Sequence, residues 1–227
     1  MLVEKIYNIA DTFHSMRLYK FYKGAKIDSV IDVGSHKGEF IQKVVRDKKI
    51  PIFSFEPQES VRDELKKNTQ DFNVIEYYDC ALSDTNGDIE IFLNKLTSTS
   101  SLISPNKNSL WIRFKQFVLA GKIITGKQKI TSRRLDDVFK NINLDNFNNI
   151  LLKIDVEGAE SIVLKGGSNI LNNKNVKYIQ IESANFNIYK QDSNSPINII
   201  EEHGFIAAKK FLFPMLNFTD IVFERKN

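Results

Sequence analysis

The spacing of apolar positions changes period several times along the chain. Val3, Ile6, Ile9, Phe13, Met16 and Tyr19 or Phe21 recur at helical intervals, which predicts a helix over residues 3–22 packed on the domain through that stripe. Its basic and aromatic end, RLYKFYKGAK, has a second possible use, contact with a membrane surface or a polyanion. From residue 28 the period alternates. SVIDVG reads as strand, 38–48 as helix, IFSFEP as strand, 58–69 as helix and NVIEYY as strand. DIEIFL alternates apolar and polar residues like an antiparallel addition, and a long irregular stretch follows to about residue 130. Helix 134–140, strand ILLKID, helix 158–171, strand VKYIQIES and helix 195–203 come next, and the chain closes on the strands GFIAAKKF and FTDIVFER. Strands separated by helices predict an α/β fold with a mostly parallel sheet covered on both faces. Two last strands with no helix between them predict an antiparallel hairpin at one edge.

Composition narrows the class. The 227 residues, 42% of them hydrophobic, suffice for one core, so a single domain over 1–227 is expected. One cysteine, Cys80, excludes an internal disulfide and a Cys-rich zinc site. No uncharged apolar run reaches the length of a bilayer span, and MLVEKIYNIA lacks the apolar core of a signal peptide, so a soluble cytoplasmic protein is expected. A net charge of +4 is too mild to argue for nucleic acid.

In such a sheet a ligand sits beyond the carboxyl ends of the strands, and the first strand-to-helix turn is the usual anchor. Here it is GSHKGEF, where Gly34 and Gly38 let backbone approach a ligand. Glu56 closes the second strand and is placed to accept hydrogen bonds from ribose hydroxyls. A dinucleotide turn carries a middle glycine against the pyrophosphate, but Ser35, His36 and Lys37 fill this one. A cofactor without a pyrophosphate, S-adenosylmethionine, fits better.

Several motifs together resemble the FkbM family of S-adenosylmethionine-dependent methyltransferases. They are VIDVGSHKGEF, FSFEPQES, CALSDTNGDIEIF, STSSL, SRRLDDVF and LLKIDVEGAESIVLKGG followed by IQIES, in order over roughly residues 26–185. The D-V-E-G-A-E-x-x-V-L-K-G block is the most specific. The resemblance implies a Rossmann-like class I methyltransferase fold with a seven-stranded sheet, and methyl transfer to a hydroxyl, commonly on a sugar of a glycan, glycolipid or secondary metabolite. It implies Gly34, Ser35 and Gly38 at the methionine part of the cofactor, Glu56 at the ribose, and Cys80 and Ala81 beside the adenine. The neighbouring Asp32 and Pro57 belong to the same expected cofactor set, and Asp155 and Glu157 are implied beside the reacting methyl.

A sugar hydroxyl is a poor nucleophile, so a general base is expected. Asp155 and Glu157, two apart at a strand end, and Glu182 at the end of the next strand supply either a base with orienting partners or the ligands of a divalent metal. Helix capping is the structural alternative, above all for Glu157. His36 is a further candidate base, or a local hydrogen-bonding residue. Lys153 either holds a substrate oxygen or forms a salt bridge at the core edge.

Residues 95–130 read as a lid insertion, with Trp111, Phe114, Phe117 and Val118 at helical spacing. Between Glu90 and Asp136 there is no acid, while nine lysines and arginines from Lys95 to Arg134 concentrate positive charge. An anionic saccharide or lipid-linked saccharide acceptor is therefore expected, held by Arg113, Lys115 and Ser100, with Asn185 and Tyr189 also lining the pocket. Peripheral contact with the inner membrane face goes with such an acceptor. No RNA-binding module is legible. A catalytically silent scaffold and a nicotinamide-dependent oxidoreductase remain as rival readings.

Overall fold

The computed structural model describes residues 2–47, 49–94, 124–184, 195–215 and 218–226. The expected lid at 95–130 and the expected acceptor contacts Ser100, Arg113, Lys115, Asn185 and Tyr189 therefore lie outside the described residues, except for the lid's last seven residues.

The chain opens on helix α1 (Leu2–Gly24). It then alternates through β1 (Ser29–Val33), α2 (Glu39–Val44), β2 (Ile52–Phe55), α3 (Glu59–Asn68) and β3 (Val74–Tyr78). Three strands follow, β4 (Ala81–Leu82), β5 (Gly87–Asn94) and β6 (Ile124–Arg133), and then the short helix α4 (Leu135–Val138). The second half runs β7 (Ile150–Ile154), α5 (Glu160–Lys165), α6 (Ser168–Asn172), β8 (Val176–Ala184), α7 (Pro196–Glu202), β9 (Phe205–Leu212) and β10 (Phe218–Arg225). Seven strands form one sheet in the order β3-β2-β1-β7-β8-β10-β9. β10 alone among them runs antiparallel to its neighbours, as the two closing strands without a helix require.

Period-two alternation divides the core between the two faces of this sheet. Ile31, Val33, Phe53, Phe55, Leu152, Ile154, Ile179 and Ile181 pack on one side. Val30, Ile52, Leu151 and Val222 pack on the other, with Leu18 and Tyr22 of α1 and Ile41 and Val44 of α2.

Three expectations need correction. The stretch expected to be irregular up to about 130 contains β6, which pairs with β5 and β4 in a separate three-stranded sheet. DIEIFL thus joins that small sheet and not the large one. The helix expected over 158–171 is divided at Gly166 and Gly167, where the chain passes so close to Ser83 that a Cβ at Gly166 would stand 2.0 Å from its carbonyl oxygen. The third concerns α1. Its packed line is Ala10, His14, Leu18 and Tyr22, whereas Ile6, Ile9, Phe13 and Met16 are exposed.

The reason lies in the sheet beneath it. Ser54, Asp32, Lys153 and Gln180 are register neighbours on four adjacent strands and make a buried polar belt. Buried polar groups need partners, so the helix presents polar-tipped side chains there. The Tyr22 hydroxyl donates to Gln180 Oε1 at 2.8 Å, and Gln180 Nε2 donates to Asp220 Oδ1 at 2.8 Å. His14 Nε2 lies 2.6 Å from Asp220 Oδ2.

Candidate active site

Two residues beyond the polar belt, at the carboxyl ends of the same strands, stand Gly34, Glu56, Asp155 and Glu182. This is where the strand order reverses, between β1 and β7.

The turn after β1 is wedged against the turn after β7. Gly34 has φ 78°, and a Cβ there would lie 1.9 Å from the Asp155 carbonyl oxygen. Only glycine fits. The Lys153 ammonium donates to the Gly34 carbonyl at 2.8 Å and lies 3.2 Å from Asp32 and 3.4 Å from Asp155. Burial works against its charge, but these two carboxylates overcome that and hold it protonated. Lys153 and Asp32 are therefore interior residues that fix the turn. Neither reaches an open surface, which leaves the expected substrate contact of Lys153 and cofactor contact of Asp32 without support from the geometry.

Ser35 is likewise turned inward, its hydroxyl donating to the Asp32 carbonyl and accepting from Ser54 Oγ at 2.7 Å. Gly38 has φ 85° and opens α2, which is only six residues long. Glu56 accepts the backbone N–H of His36 at 3.0 Å on one oxygen and that of Gln58 at 2.8 Å on the other. Each oxygen keeps a lone pair for a further donor. Burial raises the Glu56 carboxyl, and those two N–H groups and His36 work in the opposite direction. The His36 ring is engaged by Glu39 at 3.1 Å, in keeping with the local hydrogen-bonding alternative.

Pro57 is half-buried beside Glu56. Cys80 and Ala81 are buried at the start of β4, and burial pushes the Cys80 thiol up to about 11.

Asp155, Glu157 and Glu182 come together. Each offers a carboxylate oxygen, all within 4.8 Å of one another, and each is half-buried. Glu157 has φ 56°, a left-handed backbone that a non-glycine residue adopts at a cost, and one that clusters at functional sites. Glu157 caps no helix: the N-cap of α5 is Ala159, with no side-chain cap bond, and Glu160 at the first helical position fastens the preceding turn, its Oε1 accepting the N–H of Val156 at 3.2 Å and of Gly158 at 3.1 Å. Burial lifts the Glu160 carboxyl to about 7. Its stabilising protonation is complete below the ordinary carboxyl range and is lost as pH rises through that value. Burial and the negative charges of Asp155 and Glu157 hold Glu182 well above the usual carboxyl range. Asp155 is raised by burial, against the pull of Lys153, with Asp220 adding to the rise.

Tyr7, His14 and Asp220 were not expected here. Desolvation of its hydroxyl and the charges of Asp11, Glu182, Glu157 and Asp155 raise the Tyr7 phenol, although the side chain as a whole is 45% exposed, and the ring packs 5.5 Å from that of Phe213. Asp220 pairs in register with Glu182. Its one sequence signal is a single acid inside an apolar run, FTDIVF.

The expected patch of positive charge is partly neutralised where it is described. Lys127 pairs with Glu90 at 2.7 Å, Lys129 with Asp88 at 2.8 Å and Arg134 with Asp136 at 3.5 Å.

The fold is shared with known proteins. The fold is similar to that of magnesium protoporphyrin IX methyltransferase (ChlM) from Synechocystis PCC 6803 with bound SAM, at a TM-score of 0.53 and 10% identity over 99% of this chain and 84% of that one. It is also similar to the N-methyltransferase NodS from Bradyrhizobium japonicum WM9, at a TM-score of 0.50 and 9% identity over 97% of each chain. At these identities the likeness speaks for the fold alone. In sequence, 172 residues are 26% identical to 2-O-methyltransferase NoeI of Sinorhizobium fredii (strain NBRC 101917 / NGR234), covering 71% of this chain and 65% of NoeI, just under two thirds of that relative's length. Residues 32–211, from the buried aspartate of β1 to the end of β9, match the methyltransferase FkbM domain, and the chain belongs to that family of methyltransferases.

Proposed function

We propose that the protein is an S-adenosylmethionine-dependent O-methyltransferase acting on a saccharide hydroxyl. The observation that carries this reading is the convergence of three carboxylates at the mouth of β7 and β8, beside the glycine turn and Glu56.

The residues fit the donor. Gly34 and Gly38 hold the turn at positive φ beside the end of β7, Glu56 has lone pairs for ribose hydroxyls, and Pro57, Cys80 and Ala81 border the adenine end. Bound there, S-adenosylmethionine supplies an electrophilic methyl on a sulfonium, open to in-line displacement. The chain's own part is to orient the acceptor oxygen and take its proton. Glu182 suits the proton-accepting role, because a base works best when its carboxyl is lifted toward the working pH. Asp155, held by Lys153, orients the acceptor, and Glu157 completes the cluster. A divalent cation on the same three carboxylates is the second reading, favoured by their spacing within 4.8 Å.

Transfer to oxygen draws support from the similarity to the 2-O-methyltransferase NoeI, and the saccharide as its carrier is what the resemblance to the FkbM family implies. An anionic acceptor rests on the five cations from Lys95 to Lys122. The test is transfer of labelled methyl from S-adenosylmethionine to neutral and to uronic-acid-bearing oligosaccharides, with and without a chelator. Label on a sugar oxygen supports the reading, and a preference for the uronic acids supports the anionic acceptor. Loss of transfer with chelator moves the carboxylates to metal binding. No labelled sugar from either set, with label entering another nucleophile, would overturn the acceptor class.

Glu157 separates function from stability. A non-glycine residue in the left-handed region costs about 1–2 kcal/mol, partly offset because glycine is freer in the unfolded chain. Glu157→Gly should therefore melt at the same temperature or slightly higher while transferring methyl more slowly. A lower melting temperature with full activity would make Glu157 structural.

A further inference from the structure

We propose that the outward face of α1 docks the protein on an anionic phospholipid surface. The line runs Ile6, Ile9, Phe13 and Met16, spaced three, four and three residues apart, so it forms one stripe along the helix. Among the described residues these are exposed large hydrophobics, Ile9 at 70% and Phe13 at 58%, and Leu212 at the end of β9 is exposed as well. Arg17 ties that strand end to the helix by donating to the Leu212 carbonyl at 2.8 Å.

The border of the stripe is cationic. Lys5 precedes Ile9 by one turn, Lys20 follows Met16 by one turn, and Lys23 lies three residues further; all three are exposed. The Arg17 guanidinium stands 5.9 Å from the Phe13 ring centre. The acids of α1, Glu4 and Asp11, stand two residues from Ile6 and from Ile9 and Phe13, about half a turn, and so lie on a different line. Asp11 pairs with Lys43 of α2. An apolar stripe bounded by lysine and arginine is the pattern of a helix lying in the plane of a membrane interface. No described helix is long and apolar enough to cross one.

Charge decides between lipid and a second copy. A two-fold pairing of this helix with itself would bring like-charged borders together, whereas anionic headgroups complement them. The inward line of the same helix reaches Asp220 through His14, and Asp220 is the register partner of Glu182. A docked α1 therefore holds the site mouth near the lipid surface. That last consequence rests on the methyltransferase reading, but the docking itself does not.

The test is flotation of the full chain with vesicles of phosphatidylcholine alone or of phosphatidylcholine with phosphatidylglycerol, beside sedimentation without lipid. The wild type should float with the anionic vesicles only, less as salt rises, and sediment as a monomer. The double variant Ile9→Asn, Phe13→Asn should reduce flotation at least about tenfold and keep the wild-type melting temperature, because both side chains are exposed. Absence of flotation, equal flotation of the variant, or self-association of the wild type that the variant abolishes would each overturn the proposal. Titration of both proteins with S-adenosylhomocysteine reads the donor site separately, so failure of docking and failure of the methyltransferase reading are distinguishable.

Discussion

Glu182→Gln is expected to lower turnover by about 10²- to 10⁴-fold, the range a positioned general base contributes. Affinity for S-adenosylhomocysteine should change little, because the glutamine keeps the shape of the side chain and the donor's ribose is assigned to Glu56. The pH profile separates a base from a merely structural acid. Burial and two neighbouring carboxylates raise the Glu182 carboxyl, so its base form is populated only as pH climbs past that raised value. Wild-type kcat/KM should therefore rise with pH through a midpoint above the ordinary 4.5 of a glutamate, and the residual activity of Glu182→Gln should lack that limb. Asp155→Asn should also slow turnover, with an added loss of stability, because the buried Lys153 then keeps Asp32 as its one carboxylate partner. An unchanged limb in Glu182→Gln would move the base to Asp155 or Glu157.

Gly34→Ala is expected to be the most damaging single methyl group in the chain. The added Cβ would sit 1.9 Å from the Asp155 carbonyl oxygen, in a backbone at φ 78° that alanine resists. The two turns would have to part, separating Lys153 from the Gly34 carbonyl or the acids from the donor turn. A cost on the order of 3–5 kcal/mol is reasonable for strain of this kind, which for a chain of this size lowers the melting temperature by roughly 10 °C. Donor binding should be lost even where the protein stays folded. Gly126→Ala is the control, since its added Cβ meets nothing within 4 Å. A Gly34→Ala protein that melts and binds donor like the wild type would refute the close approach of the two turns.

Much of this architecture was legible because the parallel strands are apolar runs closed by turn residues and separated by helical periods. The edge hairpin followed from two strands with no helix between them. β6 escaped because its register places Ile130 inward while Lys127 and Lys129 face solvent, so the polar residues dominate the pattern. Periodicity also identified α1 but pointed to the wrong side as the packed one. The buried belt of Ser54, Asp32, Lys153 and Gln180, visible only once the strands are in register, selects the side carrying His14 and Tyr22.

The carboxylate trio was readable because each member sits at or just past the end of a strand in a distinctive motif. The roles of its neighbours were not. Glu157 and Glu160 differ by three positions, and only the geometry gives the bonds that fasten the turn to Glu160 and the left-handed backbone to Glu157. Lys153 looked equally suited to substrate or salt bridge until its ammonium met Asp32, Asp155 and the Gly34 carbonyl. His14 and Asp220 meet beside the cluster from the two ends of the chain, a proximity that no local motif carries.

The most direct test of the central claim is calorimetric titration of the purified protein with S-adenosylhomocysteine, NAD and NADP, with Glu56→Ala alongside. Saturable binding of S-adenosylhomocysteine, no binding of either dinucleotide, and loss of binding in the Glu56→Ala protein is the predicted result. Binding of a nicotinamide dinucleotide, or of none of the three, would contradict it.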